Sequence, residues 1–136
     1  MTAQIKSVPA MDRTMLETVE SRILWLSHWM IHHANHIRPS DDAIKIGGHQ
    51  ASSASMVSIL TALYFSVLNS RDRVAVKPHA SPLFHAMHYL MGRLDRASME
   101  NFRGFGGVQS YPSRTKDHDD VDFSTGSVGL GVAMTS

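Results

Sequence analysis

Apolar residues at Leu16, Val19, Ile23, Leu26 and Met30 recur at alternating intervals of three and four, drawing one stripe along a helix that runs from Asp12 to about His36. Asp12 is a candidate N-cap. Arg38-Pro39-Ser40-Asp41-Asp42 then reads as a turn, because proline disfavours a helical residue before it. Gly47-Gly48 opens a second, tighter turn. Ser52 or Ser53 is placed to cap another helix reaching about Asn69, and its apolar Met56, Ile59, Leu60, Leu63, Tyr64 and Val67 predict nearly complete burial.

Arg73-Val74-Ala75-Val76 is a short β-branched run bounded by Asn69-Ser70 and Pro78, a pattern that suits a buried parallel strand. Ser81-Pro82 predicts the start of a third helix whose inner face is Leu83, Ala86, Met87, Leu90 and Met91. A short fourth helix is expected from Ala97 or Ser98. Between Gly104 and Asp122 the apolar period disappears, predicting a long ordered loop of the kind that often carries function. The tail passes from an extended segment through a glycine turn into Val132-Ala133-Met134, which begins like a helix. The expected class is α/β: a parallel sheet flanked by helices, with a long N-terminal helix. Residues 1–11 read as a disordered or extended N-terminus and residues 12–136 as an incomplete domain.

Composition narrows the function classes. The 136 residues are 43% apolar, enough for the core of one domain. Thirteen Lys and Arg against twelve Asp and Glu leave a formal charge of +1 with no basic block, which argues against a nucleic-acid partner. Without cysteine there is neither a disulfide framework nor a thiolate metal site. Met1 to Pro9 lacks the apolar core of a secretory signal. Met56 to Leu68 is far shorter than the roughly 20 residues that span a bilayer. The expectation is a cytoplasmic protein without a membrane partner.

Nine histidines direct the search for chemistry. Gly47-Gly48-His49 with Ser52 sets a histidine at a helix start, where free N–H groups favour an anion; the plainer alternative is a helix–helix turn. Pro78-His79-Ala80-Ser81-Pro82 would set His79 at the carboxyl end of the expected strand, where ligands collect in open sheets. Gly126-Ser127-Val128-Gly129-Leu130-Gly131 has its glycines at intervals of three then two, the reverse of the dinucleotide fingerprint, and lies far from the N-terminus. His28, His32 and His36 share one helical face, with His33 beside them. They make a candidate metal row, although a polar surface or subunit contact near a helix C-terminus explains them more simply. His85 with His88, and His118 before Asp119-Asp120, carry the same two alternatives.

Taken in order, Gly47-Gly48-His49-Gln50-Ala51-Ser52-Ser53, His79-Ala80-Ser81-Pro82, Asn101-Phe102-Arg103, Ser110-Tyr111-Pro112 and Gly129-Leu130-Gly131 resemble the N-terminal, diphosphate-binding domain of thiamine-diphosphate enzymes of the transketolase and homodimeric pyruvate dehydrogenase E1 class. Gly92-Arg93-Leu94 adds to the likeness, which covers about residue 15 to residue 136. Ser-Tyr-Pro and the Ser-Pro after His79 lean to the E1 side, whereas Ser124-Thr125-Gly126 leans to transketolases.

The resemblance implies a cofactor, thiamine diphosphate with Mg2+, and a catalytic surroundings for His49 and His79. It implies cofactor contacts at His49, Ser52, His79, Tyr111, Gly126, Val128, Gly129 and Leu130, with the backbone about Val128 facing the aminopyrimidine. Imidazoles there would donate to negative charge developing on a substrate oxygen. The family's metal-binding Gly-Asp-Gly and its activating glutamate are expected after Ser136, so no metal ligand is assigned here. His85 stands where E1 enzymes commonly have an aromatic. The implied activity is 2-keto acid decarboxylation and acyl transfer in a homodimer working with an acyltransferase (E2) partner. The alternatives are ketol transfer between sugar phosphates, and a catalytically silent module that pairs with another polypeptide.

Overall fold

The computed structural model describes residues 11–40, 44–117, 120–127 and 129–136. Helix α1 (Arg13–His32) begins where Asp12, extended at φ −68° and ψ 162°, accepts a hydrogen bond from the Met15 N–H through its carboxylate at 2.8 Å. It runs on into a π-helical turn, His33–Ile37, closed by the Arg38 N–H on the His33 carbonyl at 2.8 Å. Arg38 itself is extended, ψ 129°, as a residue before proline must be.

Gly47 and Gly48 take φ of +78° and +142° and complete the reversal, so α2 (Gln50–Ala62) starts directly at His49. Neither Ser52 nor Ser53 is its cap: both lie inside the first turn, and Ser53 is fully buried. A second π-helical turn, Leu63–Val67, ends this element. Ile59 and Val67 are exposed, so α2 is less completely buried than its composition predicts. After a 3-10 turn, Pro78–Ala80, come α3 (Ser81–Leu90), α4 (Arg96–Glu100) and α5 (Leu130–Thr135). Asp95 caps α4 by accepting the Ser98 N–H at 2.7 Å, one to two residues ahead of the expected start.

The expected parallel sheet is absent: among the described residues there is no strand, and the fold is helical rather than α/β. Residues 73–76 do avoid the helix, as a β-branched run favours. A strand, however, exists only through a ladder to a neighbour. Here the Val74 N–H is satisfied by the Asp122 carboxylate at 2.9 Å, with Arg73 Nε 3.4 Å from the same group, so a side chain takes the place of a paired strand. The tract after α4 is the expected long loop, and its described residues hold no regular element up to α5.

Helix α1 packs on both α2 and α3. Its first half meets Val57 and Leu60 of α2 and Leu83, Phe84 and Met87 of α3 around the fully buried Ile23. Its second half, through Met30, Ile31 and Ala34, packs instead on Leu94, Met99, Phe102 and Val108. Leu26 touches both clusters. Each large apolar side chain removed from water in this way contributes about 1.5–3 kcal/mol. The helix thereby seats the two loops that carry the glycine–histidine turn and the Tyr111 tract.

Candidate functional site

The Gly47-Gly48-His49 turn is held on the end of α1. Asn35, in the π-helical turn, brackets Gly47: its Oδ1 accepts the Gly47 N–H at 2.8 Å and its Nδ2 donates to the Gly47 carbonyl at 3.0 Å. One helical turn earlier, Ile31 lies under Gly48 so closely that a Cβ there would stand 2.8 Å from two Ile31 carbons. Arg103 completes the seat, its Nη1 donating to the Ile46 carbonyl at 2.7 Å.

The second motif arrives from the other side. His79, half-buried in the 3-10 turn, meets His49 edge to face with ring centroids 4.6 Å apart. Tyr111 meets His79 in turn at 5.8 Å. Gly126 lies against Tyr111, where a Cβ would come within 3.1 Å of the ring. Four residues from four separate stretches of sequence therefore form one contiguous, partly exposed face.

The loop bearing Tyr111 is pinned to α3. Ser81 Oγ donates to the Ser110 carbonyl through a short bond, and the buried His85 donates from Nε2 to the Gln109 carbonyl at 3.0 Å, which sets its tautomer. Asp117 closes the loop by accepting the N–H of Gln109 at 2.7 Å and of Ser113 at 2.6 Å. His85 thus serves the loop from inside and does not open on the face.

The other expected positions divide. Ser52 is half-buried in the first turn of α2, on the same helix end as His49. Gly129 caps α5 and Leu130 is its first residue; that helix lies against Ala75 through Gly131, where a Cβ would be 3.3 Å from the Ala75 Cβ. Val128, His118 and Asp119 lie outside the described residues. In the histidine row, His28 Nδ1 engages the Leu24 carbonyl at 2.8 Å, while His32 and His36 face each other with centroids 4.9 Å apart. No group of three His, Asp or Glu side chains able to hold a metal occurs among the described residues.

Sequence reasoning missed Asn35 and the structural part played by Arg103. Arg103 takes a left-handed φ of 59°, unusual for a residue other than glycine, and its guanidinium stands 5.3 Å over the Phe102 ring. Burial pushes its pKa down, against a smaller upward effect from Tyr111.

The imidazole face is open. More concave surfaces lie elsewhere: one lined by Ser21, Arg22, Trp25, Leu26, Tyr89 and Leu90 between α1 and α3, another between Val74-Ala75 and α5. We place the site at the imidazoles because neither groove brings a histidine and the first is mainly apolar, whereas polar donors converge at the face.

Comparison with known proteins gives this face a context. The chain is 35% identical over 130 residues to the pyruvate dehydrogenase E1 component of Mycolicibacterium smegmatis, covering 85% of the chain and 14% of the relative. It is 33% identical over 129 residues to that of Pseudomonas aeruginosa and 33% identical over 104 residues to that of Escherichia coli. The chain is similar to one segment of pyruvate dehydrogenase E1. It spans 12 to 14% of the length of these E1 relatives. No protein-family model matches it, and no solved structure matches it significantly. These matches support the E1 side of the resemblance and not transketolases specifically. No described helix is long and apolar enough to cross a membrane.

Proposed function

We propose that this E1-like segment, residues 12–136, contributes part of a diphosphate-binding domain to a thiamine-diphosphate enzyme that decarboxylates a 2-keto acid and passes on the acyl group. The observation that carries the reading is the His49–His79 ring pair, 4.6 Å between centroids, built from two motifs thirty positions apart. Two imidazoles, the phenol of Tyr111 and a glycine backbone at Gly126 fit an anionic, partly aromatic group: they offer N–H and O–H donors and a close approach without a side chain in the way.

In this reading His49 and Ser52, at the start of α2, would hold the diphosphate as hydrogen-bond donors, helped by the free N–H groups of the helix. His79 stands nearer the substrate entrance and donates a proton or hydrogen bond to a substrate oxygen as negative charge grows there, a role typically worth a factor of 10^2 to 10^4. Tyr111 fixes the His79 ring. Gly126, Gly129 and Leu130 would border the cofactor. The cofactor, when bound, supplies the nucleophilic carbon and the electron sink. Mg2+ would be held outside this segment, and a second copy and an acyltransferase would complete the working assembly.

Titration of thiamine diphosphate, with magnesium present, into an assembly that joins this segment to the metal-binding part of an E1 enzyme tests this by NMR of the imidazoles. His49 and His79 signals should move while those of His28, His32 and His36 stay still. Uniform or absent movement overturns the assignment.

A further inference from the structure

We propose that Asn35 and Arg103 are positioning residues that together hold the Gly47-Gly48-His49 turn and so set the His49 imidazole against His79. The inference rests on the reading of His49 as a cofactor-facing residue only for its functional meaning; its geometry stands by itself.

Three facts bear on it. First, the two residues grip one peptide unit at its two ends: Arg103 takes the Ile46 carbonyl and Asn35 the Gly47 N–H of the same unit, and Asn35 also takes the carbonyl of Gly47 in the next. A residue with φ of +78°, followed by another at +142°, makes few bonds to its own chain, so side chains must supply its partners. Secondly, Asn35 is aimed by the π-helical turn, its Nδ2 also reaching the Ile31 carbonyl at 2.6 Å. Thirdly, Arg103 is committed to this task. Its backbone is left-handed, its N–H donates to the Val108 carbonyl at 2.9 Å, and its Nε is buried without a hydrogen-bond partner. That commitment carries a desolvation cost that a surface arginine avoids.

The two grips are joined through Arg38, whose Nη1 donates to the Phe102 carbonyl at 2.8 Å, the residue directly before Arg103. The end of α1, the end of α4 and the turn thus form one polar triangle, and His49 leaves it two residues after Gly47 as the cap of α2. Loosening either corner frees the turn without touching the imidazoles.

The test uses the 136-residue chain without cofactor and reads two quantities: hydrogen exchange at the Gly47 N–H, and cross-relaxation between the His49 and His79 rings. Asn35→Ala should speed Gly47 exchange at least about tenfold, since one net hydrogen bond corresponds to roughly that factor, and should abolish the ring-to-ring signal. Arg103→Ala should do the same at Gly47 although Arg103 does not touch that N–H. Arg103→Lys, which keeps a donor, should recover part of the ring signal. Asn35→Asp keeps shape and one acceptor but sets a carboxylate oxygen against the Gly47 carbonyl, and keeps the test readable should the alanine variant unfold. Retention of the His49–His79 signal in Asn35→Asp and Arg103→Ala overturns the proposal. If the signal is lost as expected while thiamine diphosphate never perturbs His49 in the metal-binding assembly described above, the positioning stands and the proposed function falls.

Discussion

The cluster around the second half of α1 and the tract from Gly104 to Ser127 lie side by side but are held together by different means. In the first, the Met30, Phe102 and Met99 side chains are within 2% of complete burial and pack together through apolar surface. In the second, the order of the chain is kept by single polar pins: Ser81 on Ser110, His85 on Gln109, Asp117 on two backbone N–H groups and Ser124 on the Arg114 N–H. Burial is non-directional and tolerates exchange of similar side chains, whereas a pin fixes one atom and depends on its geometry. The difference teaches that burial carries most of the stability of the first region, whereas the path of the second depends on polar pins added to the burial of Val108 and Val121.

The largest expected effect breaks the first region. Phe102→Ala should cost about 3–5 kcal/mol, as deletions of buried aromatics do. Phe105, three residues on and fully exposed, should change stability by less than about 0.5 kcal/mol when replaced by alanine. Urea midpoints of the two variants settle the matter, and equal losses would remove the distinction between core and loop. Gly48→Ala comes next, at about 1–3 kcal/mol, because it combines a positive φ with the close approach of Ile31. Pairing it with Ile31→Ala should cost less than the sum of the two, since the space is shared. Strict additivity in melting measurements would show the glycine to be needed for φ alone.

What could be read in advance follows the same division. The stripe from Leu16 to Met30, the Asp12 cap and the break at Pro39 are local signals, and the structure has them where the pattern put them. The two π-helical turns left no mark, because one extra residue per turn changes no residue type. Arg73–Val76 misled for a different reason: β-branching disfavours the helix but says nothing of whether a partner strand exists. At the site, His49, His79 and Tyr111 were legible as motif residues, and only the resemblance implied that they lie near one another. Asn35 and Asp117 stand in no motif of the sequence. Their partners are backbone N–H and C=O groups, which every residue owns and no sequence displays.

Asp117 offers the sharper test of the second region. Asp117→Ala removes the acceptor of two backbone N–H groups and should cost about 1–3 kcal/mol, yet its main effect should be on position. The Tyr111 ring should leave His79, read as loss of ring-to-ring cross-relaxation, while the urea midpoint moves less than for Phe102→Ala. A variant that unfolds the whole chain as severely as Phe102→Ala would show that the loop is part of the core after all.

The smallest effect is a pH dependence where the loop tract meets the other apolar cluster, around Ile23, because Tyr64 packs on Phe84 and His88 of α3 with the Asp122 and Asp120 carboxylates near by. Burial, and secondly those carboxylates, push the Tyr64 hydroxyl well above the ordinary tyrosine range. A phenol whose pKa is raised in the folded state contributes stability that is complete below the unfolded value of about 10 and is lost as pH rises from there towards the folded value. Unfolding free energy should therefore fall between pH ~10 and ~11, by no more than about 1.4 kcal/mol per pH unit from this group, and the melting temperature with it. Tyr64→Phe should remove that part of the slope and leave the rest, which belongs to other groups. Identical alkaline slopes in the parent and in Tyr64→Phe would mean that the ring is wetter than its packing on α3 requires.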